Sequence, residues 1–501
     1  MEEELLTLLS EVRRAGVDIW TEEGILKCRA PKGGLDESLR NRINAVRVEL
    51  IEILGQVSDS SAVSTSFPEV SSERDCFPLS HSQKMYWDIH FIPGVRASRV
   101  NGLSFFRHSG KLDAEKLKSA VRCLVSTHEI LRTVFFQQGV RGSVQQRVIS
   151  CSDVDFENLL ARAICFDGYH DEDDFRGKID QEKQEFFELQ RLPLFKVRSY
   201  FTNNGDTVVA ILAHRLVSDS ESLVSLSESF KSVVSGSAVV SNQPLGYQYK
   251  HFALWQSDLP GKPVNQTPLI PTGASTSLQF GCPGAWSYIP HDLHSEVSTG
   301  GGRSALLKIP IDLFDSVIEA VSSMRISSYA YVLALFQMFL SRYLDHEQVG
   351  LYIAHSARVN PNIEKMIGCF MRTIKVSVKL SEGYEASSHA VCVHDSLSVL
   401  NDHIDHFDNS INDHMVSYSS TSDTKIPITF LIREFRSRMS VDLPAGRAIF
   451  RPSTIDSGFV VTWIRYLDSM VMAIDFRSDK YSDSLVESFQ MKFLEFLRST
   501  M

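Results

Sequence analysis

Residues 56–76 decide how this chain of 501 residues can fold, because they can bury almost nothing. Seven serines fall within 58–72, with Pro68 and few large apolar side chains, so ordering the stretch gains too little burial to offset its conformational entropy. It reads as a linker between a small unit, 1–55, and a long remainder from Phe77 onward. In the small unit Leu5, Leu8, Leu9 and Val12 recur at helical spacing, and Gly16 is placed to end that helix. Val17–Trp20 and Ile25–Arg29 read as strands joined by a four-residue turn, Thr21-Glu22-Glu23-Gly24. Beyond the break at Pro31-Lys32-Gly33-Gly34, Leu39, Ile43, Val46, Leu50 and Leu54 trace one face of a second helix. The unit is therefore helix, hairpin, helix, with an exposed strand edge.

The remainder alternates helical and strand patterns almost to its end. Leu117, Val121 and Leu124 share one helical face, as do Leu333, Phe336, Leu340 and Tyr343. Thr207–Ala213 is a β-branched, apolar run, the mark of a strand buried on both faces. The length exceeds one ordinary core and predicts two or three domains. A net charge of -10 lacks the basic face that nucleic acid demands. No apolar run approaches the roughly 20 residues that span a bilayer, and no signal peptide opens the chain. Eight scattered cysteines without a CxxC pair suit reduced, mostly buried thiols, which places the protein in the cytoplasm. Gly300-Gly301-Gly302-Arg303-Ser304 lacks the leading Gly and the Lys of a phosphate loop and reads as a loop between subdomains. No G-x-S-x-G occurs.

Five further segments fall in a recognisable order. They are Leu79-Ser80-His81-Ser82-Gln83-Lys84-Met85-Tyr86-Trp87, Thr127-His128-Glu129-Ile130-Leu131-Arg132-Thr133-Val134-Phe135, and Tyr249-Lys250-His251-Phe252-Ala253-Leu254-Trp255-Gln256, then Ala354–Arg358 and Ile367-Gly368-Cys369-Phe370-Met371-Arg372-Thr373. Together they resemble the condensation domains of nonribosomal peptide synthetases, members of the chloramphenicol acetyltransferase-like superfamily. The resemblance implies an α/β (α+β) fold: a V-shaped pseudo-dimer of two such lobes, 77–262 and 263–501, with the boundary near 260–265. Leu26-Lys27-Cys28-Arg29-Ala30-Pro31-Lys32-Gly33 resembles the signature of the tubulysin-type (TubC) docking domain. That likeness implies a hairpin edge pairing with an acidic C-terminal tail of an upstream synthetase, with Lys27, Arg29 and Lys32 reading its charge. The same three residues also read as plain solvated charges.

The family's central H-H-x-x-x-D-G appears here as His214-Arg215-Leu216-Val217-Ser218-Asp219-Ser220. The second His, which positions the amine acceptor in that family, is Arg215, and a guanidinium cannot accept a proton near neutral pH. The candidate catalytic residues are Arg215 and His214, with His214 also read, like the expected pair Asp219 and Arg358, as scaffold. Ser218, Met371, Arg372 and His251 are expected along the substrate tunnel, the last two replacing the family's Asn and Asp. Two extra arginines make such a tunnel more positive. Residues 389–414 are rich in His and Asp, and His403 and His406 lie at helical spacing, but no third ligand completes a known pattern, so no metal is assigned. The resemblance implies no bound cofactor. Substrates arrive on the phosphopantetheine of partner carrier proteins, and with no adenylation or carrier segment apparent the unit is read as freestanding. Two activities fit: acyl or aminoacyl transfer by an atypical site, or a silent recruitment platform like the H-R-x-x-x-D domains of glycopeptide synthetases.

Overall fold

The computed structural model describes residues 18–22, 25–29, 37–47, 75–92, 97, 100–139, 142–170, 181–203, 205–236, 246–259, 279–280, 287–293, 302–359, 361–364, 366–380, 383, 385–404, 428–434 and 458–501. The predicted first helix, most of the linker and the lobe boundary near 260–265 lie outside them. In the N-terminal unit, β1 (Asp18–Glu22) and β2 (Ile25–Arg29) pair antiparallel, and α1 spans Glu37–Ala45. Pairing runs on through Thr21↔Leu26 and Glu22↔Ile25. The connection is thus two residues rather than the four expected, since β-branched Thr21 extends the strand instead of turning it.

The long remainder begins at Cys76, the last residue read as linker, with β3 (Cys76–Pro78). The S-x-x-Q of the first segment is a capping box. Ser80 Oγ accepts from the Gln83 N–H at 3.1 Å and Gln83 Oε1 accepts from the Ser80 N–H at 3.0 Å, which starts α2 (His81–His90). Then come β4 (Asn101–His108), α3 (Ala114–Thr127), β5 (Thr133–Gln137), β6 (Val144–Val148), α4 (Phe156–Ala163), β7 (Ile164–His170), β8 (Phe195–Thr202), β9 (Thr207–His214), α5 (Ser220–Val234) and α6 (Tyr249–Asp258). The strands form a three-stranded sheet, β3-β6-β5, and a four-stranded sheet, β4-β9-β8-β7. All eight residues of β9 are buried, as its apolar sequence requires. It lies between β4 and β8, antiparallel to both.

The second half holds β10 (Gln279–Phe280), β11 (Gly302–Lys308), α7 (Ile311–Met324), α8 (Ser328–Leu344), β12 (Gln348–His355), β13 (Arg372–Lys379), α9 (Ala386–His403), β14 (Ile428–Glu434), β15 (Phe459–Arg465), β16 (Met470–Arg477) and α10 (Asp483–Thr500). Its sheet runs β10-β13-β12-β14-β15-β16-β11. Of the glycine-rich run read as a loop, Gly302, Arg303 and Ser304 correct to the start of edge strand β11, paired with β16 from Gly302↔Arg477 onward, while Gly300 and Gly301 lie outside the described residues. Ala305 and Leu307 supply the alternating core contacts that hold it there. On one face of the sheet Phe336, Phe339, Phe489, Phe493 and Trp463 pack ring on ring.

Each half has its own core, but the cores do not follow the order of the chain. Ile363, Met366, Ile367, Cys369 and Phe370, which follow β12, are buried in the core of the first half with Leu117, Val121 and Phe252. Among the described residues no helix is long and apolar enough to cross a membrane.

Candidate functional site

Four of the sequence segments meet where β9 ends. His214 closes the strand, its N–H donating to the Leu194 carbonyl, and the Arg215 N–H donates to Val100 O at 2.7 Å. Gln83 of the first segment steadies the turn by donating from Nε2 to Leu216 O at 3.0 Å. Ser218, fully buried, donates to the His214 carbonyl at 3.2 Å and so closes the turn. Asp219 then caps α5, accepting the Ser222 N–H at 2.7 Å.

Asp219 is also the tie between the halves. Arg358 donates from Nη1 to Oδ2 at 2.7 Å and from Nη2 to Oδ1 at 3.2 Å, while the N–H groups of Phe370 and Met371 donate to Oδ2. Burial by itself would raise this carboxyl, but Arg358 first and then Ser222 hold it below the usual carboxylate range. Arg358 further donates to Ser222 Oγ at 2.8 Å and lies 4.3 Å over the Phe370 ring. Ser222, which the sequence reading passed over, accepts the Gly368 N–H and donates to the Gly368 carbonyl.

Tyr249 completes the joint. Its hydroxyl donates to Cys369 O at 2.6 Å and accepts from Ser80 Oγ at 2.7 Å. A Cβ at Gly368 would stand 1.9 Å from Tyr249 Cδ2, so only glycine fits. Gly368→Ala is expected to cost about 1–3 kcal/mol by overpacking, read as a lower denaturation midpoint. An unshifted midpoint would refute this close fit.

The chemistry open to the site follows from its protons. His214 is fully buried; burial first, then His90 and Arg215, push its pKa well below the ordinary imidazole value. Its Nδ1 accepts the Leu216 N–H at 3.1 Å, and its Nε2 lies 3.1 Å from His90 Nδ1. Both nitrogens are engaged, so it offers no lone pair to a substrate. Arg215 is 6% exposed, donates to Ser220 Oγ at 3.3 Å, and lies where a Cβ on Gly102 would meet its guanidinium at 3.2 Å. Arg433 on β14 comes near enough that, after burial, Arg215 is the next cause pushing its pKa down to about 10. Here the site can donate hydrogen bonds and positive charge.

Residues 73–268 match the family model of the condensation domain, and residues 6–56 match that of the TubC N-terminal docking domain. This chain carries a condensation domain behind a TubC docking domain. Tyrocidine synthase 3 of Brevibacillus parabrevis is 26% identical over 299 residues, which is 60% of this chain but 4% of that protein. The fold of the cyclization-docking bidomain of the EpoB nonribosomal peptide synthetase from Sorangium cellulosum matches at TM-score 0.67, with 16% identity, over 99% of this chain and 98% of that one. The X-domain in complex with OxyB from teicoplanin biosynthesis matches at TM-score 0.62, with 19% identity, over 86% and 94%. The fold is thus the mixed helix-and-sheet, acetyltransferase-like one expected of a condensation domain.

Two residues expected along the tunnel of this condensation domain have other contacts. Arg372, 1% exposed, donates from its guanidinium to the Ile404 carbonyl, joining the start of β13 to the end of α9. His251 Nδ1 accepts the Gln248 N–H at 2.9 Å and so caps α6, beside Lys250 and Glu129, which pair at 2.8 Å. Met371 sits at the joint, its carbonyl accepting from Ser82 Oγ at 3.3 Å. In the docking domain the backbone of Lys27 and Arg29 lies in β2 opposite Trp20 and Asp18; Lys32 lies outside the described residues. In the His- and Asp-rich stretch, His389 is buried against Gln337 Oε1 at 2.9 Å, and His394 accepts the Ser327 N–H. His406 and the rest of the stretch from 405 lie outside the described residues.

Proposed function

We propose that this chain receives a growing product from an upstream synthetase through its docking domain and transfers a carrier-bound acyl or aminoacyl thioester to an amine or other nucleophile. It does so without the usual imidazole. The observation that carries this reading is the turn His214–Asp219, held by Arg358, Ser222 and the 366–371 segment where the two halves meet, with Arg215 at its second position. The reading keeps a docking unit 1–55, a linker 56–76 and two lobes, 77–262 and 263–501, working in the cytoplasm on phosphopantetheine arms of partner carriers. An α-amine with a pKa near 8 is already partly neutral, so losing a general base costs about 10²–10⁴-fold rather than all turnover. Arg215 offsets part of that by stabilising the developing oxyanion.

The test is mass spectrometry of donor- and acceptor-loaded carrier proteins incubated with the full chain. A product joining the two substrates is expected, and hydrolysis alone would overturn the transfer. The burial of Arg215 and the full engagement of His214 favour a second reading, a recruitment platform that forms no bond. In that case carriers or a tailoring enzyme bind and no product appears.

Docking is a separate prediction. Lys27→Glu with Arg29→Glu is expected to weaken binding of an acidic C-terminal peptide of the upstream synthetase about tenfold, and more at low salt. Unchanged affinity in a calorimetric titration would remove the basic hairpin from the docking role.

A further inference from the structure

Most groups that could take a proton near the turn are already engaged. Both nitrogens of His214 are bonded, and Asp219 accepts from Arg358, Ser222, Phe370 and Met371. His355, which closes β12, accepts the Ala357 N–H at Nδ1, 3.0 Å away, and its Nε2 lies 2.7 Å from Asn401 Oδ1. Burial pushes the Tyr249 hydroxyl and the Cys369 thiol up, so both keep their protons at neutral pH.

Glu221 differs. It is the second residue of α5, where its neighbours Asp219, Ser220, Ser222 and Leu223 are all buried and its own side chain is exposed. Among the described residues nothing hydrogen-bonds to its carboxyl. Charged groups bear on it from both halves: Asp219 at the turn, Arg358 and Glu364 in the segment after β12, and Arg433 on β14. These elements enclose it enough that burial, opposed by Arg358, raises its pKa, which brings the carboxyl nearer the working range of a general base. Arg215 donates to Ser220 Oγ at 3.3 Å, so its guanidinium lies against the residue next to Glu221. A cation and an open carboxylate thus share one helix start. They match the two charges that acyl transfer develops, negative on oxygen and positive on nitrogen.

We propose that Glu221 is the general base of this site, standing in for the imidazole that Arg215 replaced. The proposal rests on the transfer reading above. The neutral acceptor amine attacks the thioester carbonyl, the C–N bond forms, and the carbonyl electron pair moves onto the oxygen beside Arg215. Glu221 takes the proton that the nitrogen sheds. When the oxyanion collapses the C–S bond breaks, and the departing thiolate takes that proton from Glu221. Amine and thioester become amide and thiol, and the carboxylate is regenerated.

The test uses the full chain with donor- and acceptor-loaded carrier proteins, and mass spectrometry reads the product over a pH series. Glu221→Gln is expected to lower product formation about 10²-fold, while Glu364→Gln, an exposed carboxyl outside the turn, keeps the wild-type rate. Glu221→Ala should fall likewise and recover when formate, a small carboxylate, is added. The wild-type rate should drop as pH falls through the raised Glu221 value, and Glu221→Gln should lack that inflection. Glu221 is exposed, so these changes open no cavity, and an unshifted denaturation midpoint checks the fold. Undiminished product from Glu221→Gln would overturn the base and leave the transfer reading standing. A loss in Glu221→Ala that formate does not restore would also overturn it, leaving Glu221 a residue of the helix start alone. No product from wild type would overturn both readings.

Discussion

Asp219→Ala is expected to cost about 3–5 kcal/mol of stability, because it strands a buried guanidinium and breaks the tie between the halves. The Asp219–Arg358 side chains are 3% and 4% exposed, and the carboxylate accepts from Arg358, Ser222, Phe370 and Met371. Asp219→Asn should be milder, since an amide oxygen can still accept from some of these donors. The same group fixes a pH dependence. Its folded pKa lies below the ordinary carboxylate value, so the stabilisation is complete above that value and is lost as pH falls through the depressed one. Denaturant unfolding of wild type and both variants, from neutral pH to pH about 3, reads the effect. An Asp219→Ala protein of wild-type stability with altered turnover alone would make this residue chemical rather than structural.

Arg215→Ala should lower product formation about 10²–10³-fold if the guanidinium stabilises an oxyanion, the usual cost of removing one preorganised donor. Arg215→His restores the family's two imidazoles in sequence but not their surroundings. His214 is already neutral and bonded to His90, and Arg433 lies close enough to disfavour a second cation. The expected result is a partial recovery at most, with a rate that climbs as pH rises and the new imidazole loses its proton. The readout is the mass of carrier-bound intermediates over time. Undiminished product from Arg215→Ala would exclude Arg215 from catalysis. No product from wild type or either variant, with carriers still bound, would establish the platform reading.

Local signals were the legible part of the fold. The face of Leu117, Val121 and Leu124 lies on α3 and that of Leu333, Phe336, Leu340 and Tyr343 on α8, as their spacing predicts, whereas the caps at Ser80 and Asp219 were read only as parts of family motifs. The apolar run of β9 likewise announced a strand enclosed on both sides. What escaped depends on partners far along the chain. Nothing near Gly302 says that β16 will pair with it. The burial of Arg372 hangs on the distant carbonyl of Ile404; His251, by contrast, caps α6 locally through the Gln248 N–H, a role that its place in the family motif obscured. His90 carried no pattern of its own, since a histidine at a helix end is unremarkable until His214 is found against it. The motifs of the site were readable as a set, whereas its protons required geometry.

The placement of Ile363, Met366, Ile367, Cys369 and Phe370 bears on how the molecule comes into being. A ribosome that has finished α6 has made every sheet of the first half, yet that half still lacks five of its buried side chains. It must wait, partly open, until residue 370 emerges, by which time much of the second half is already outside. Cutting the gene between the halves should therefore yield an amino-terminal fragment that aggregates, and the two parts should recover solubility only when produced together.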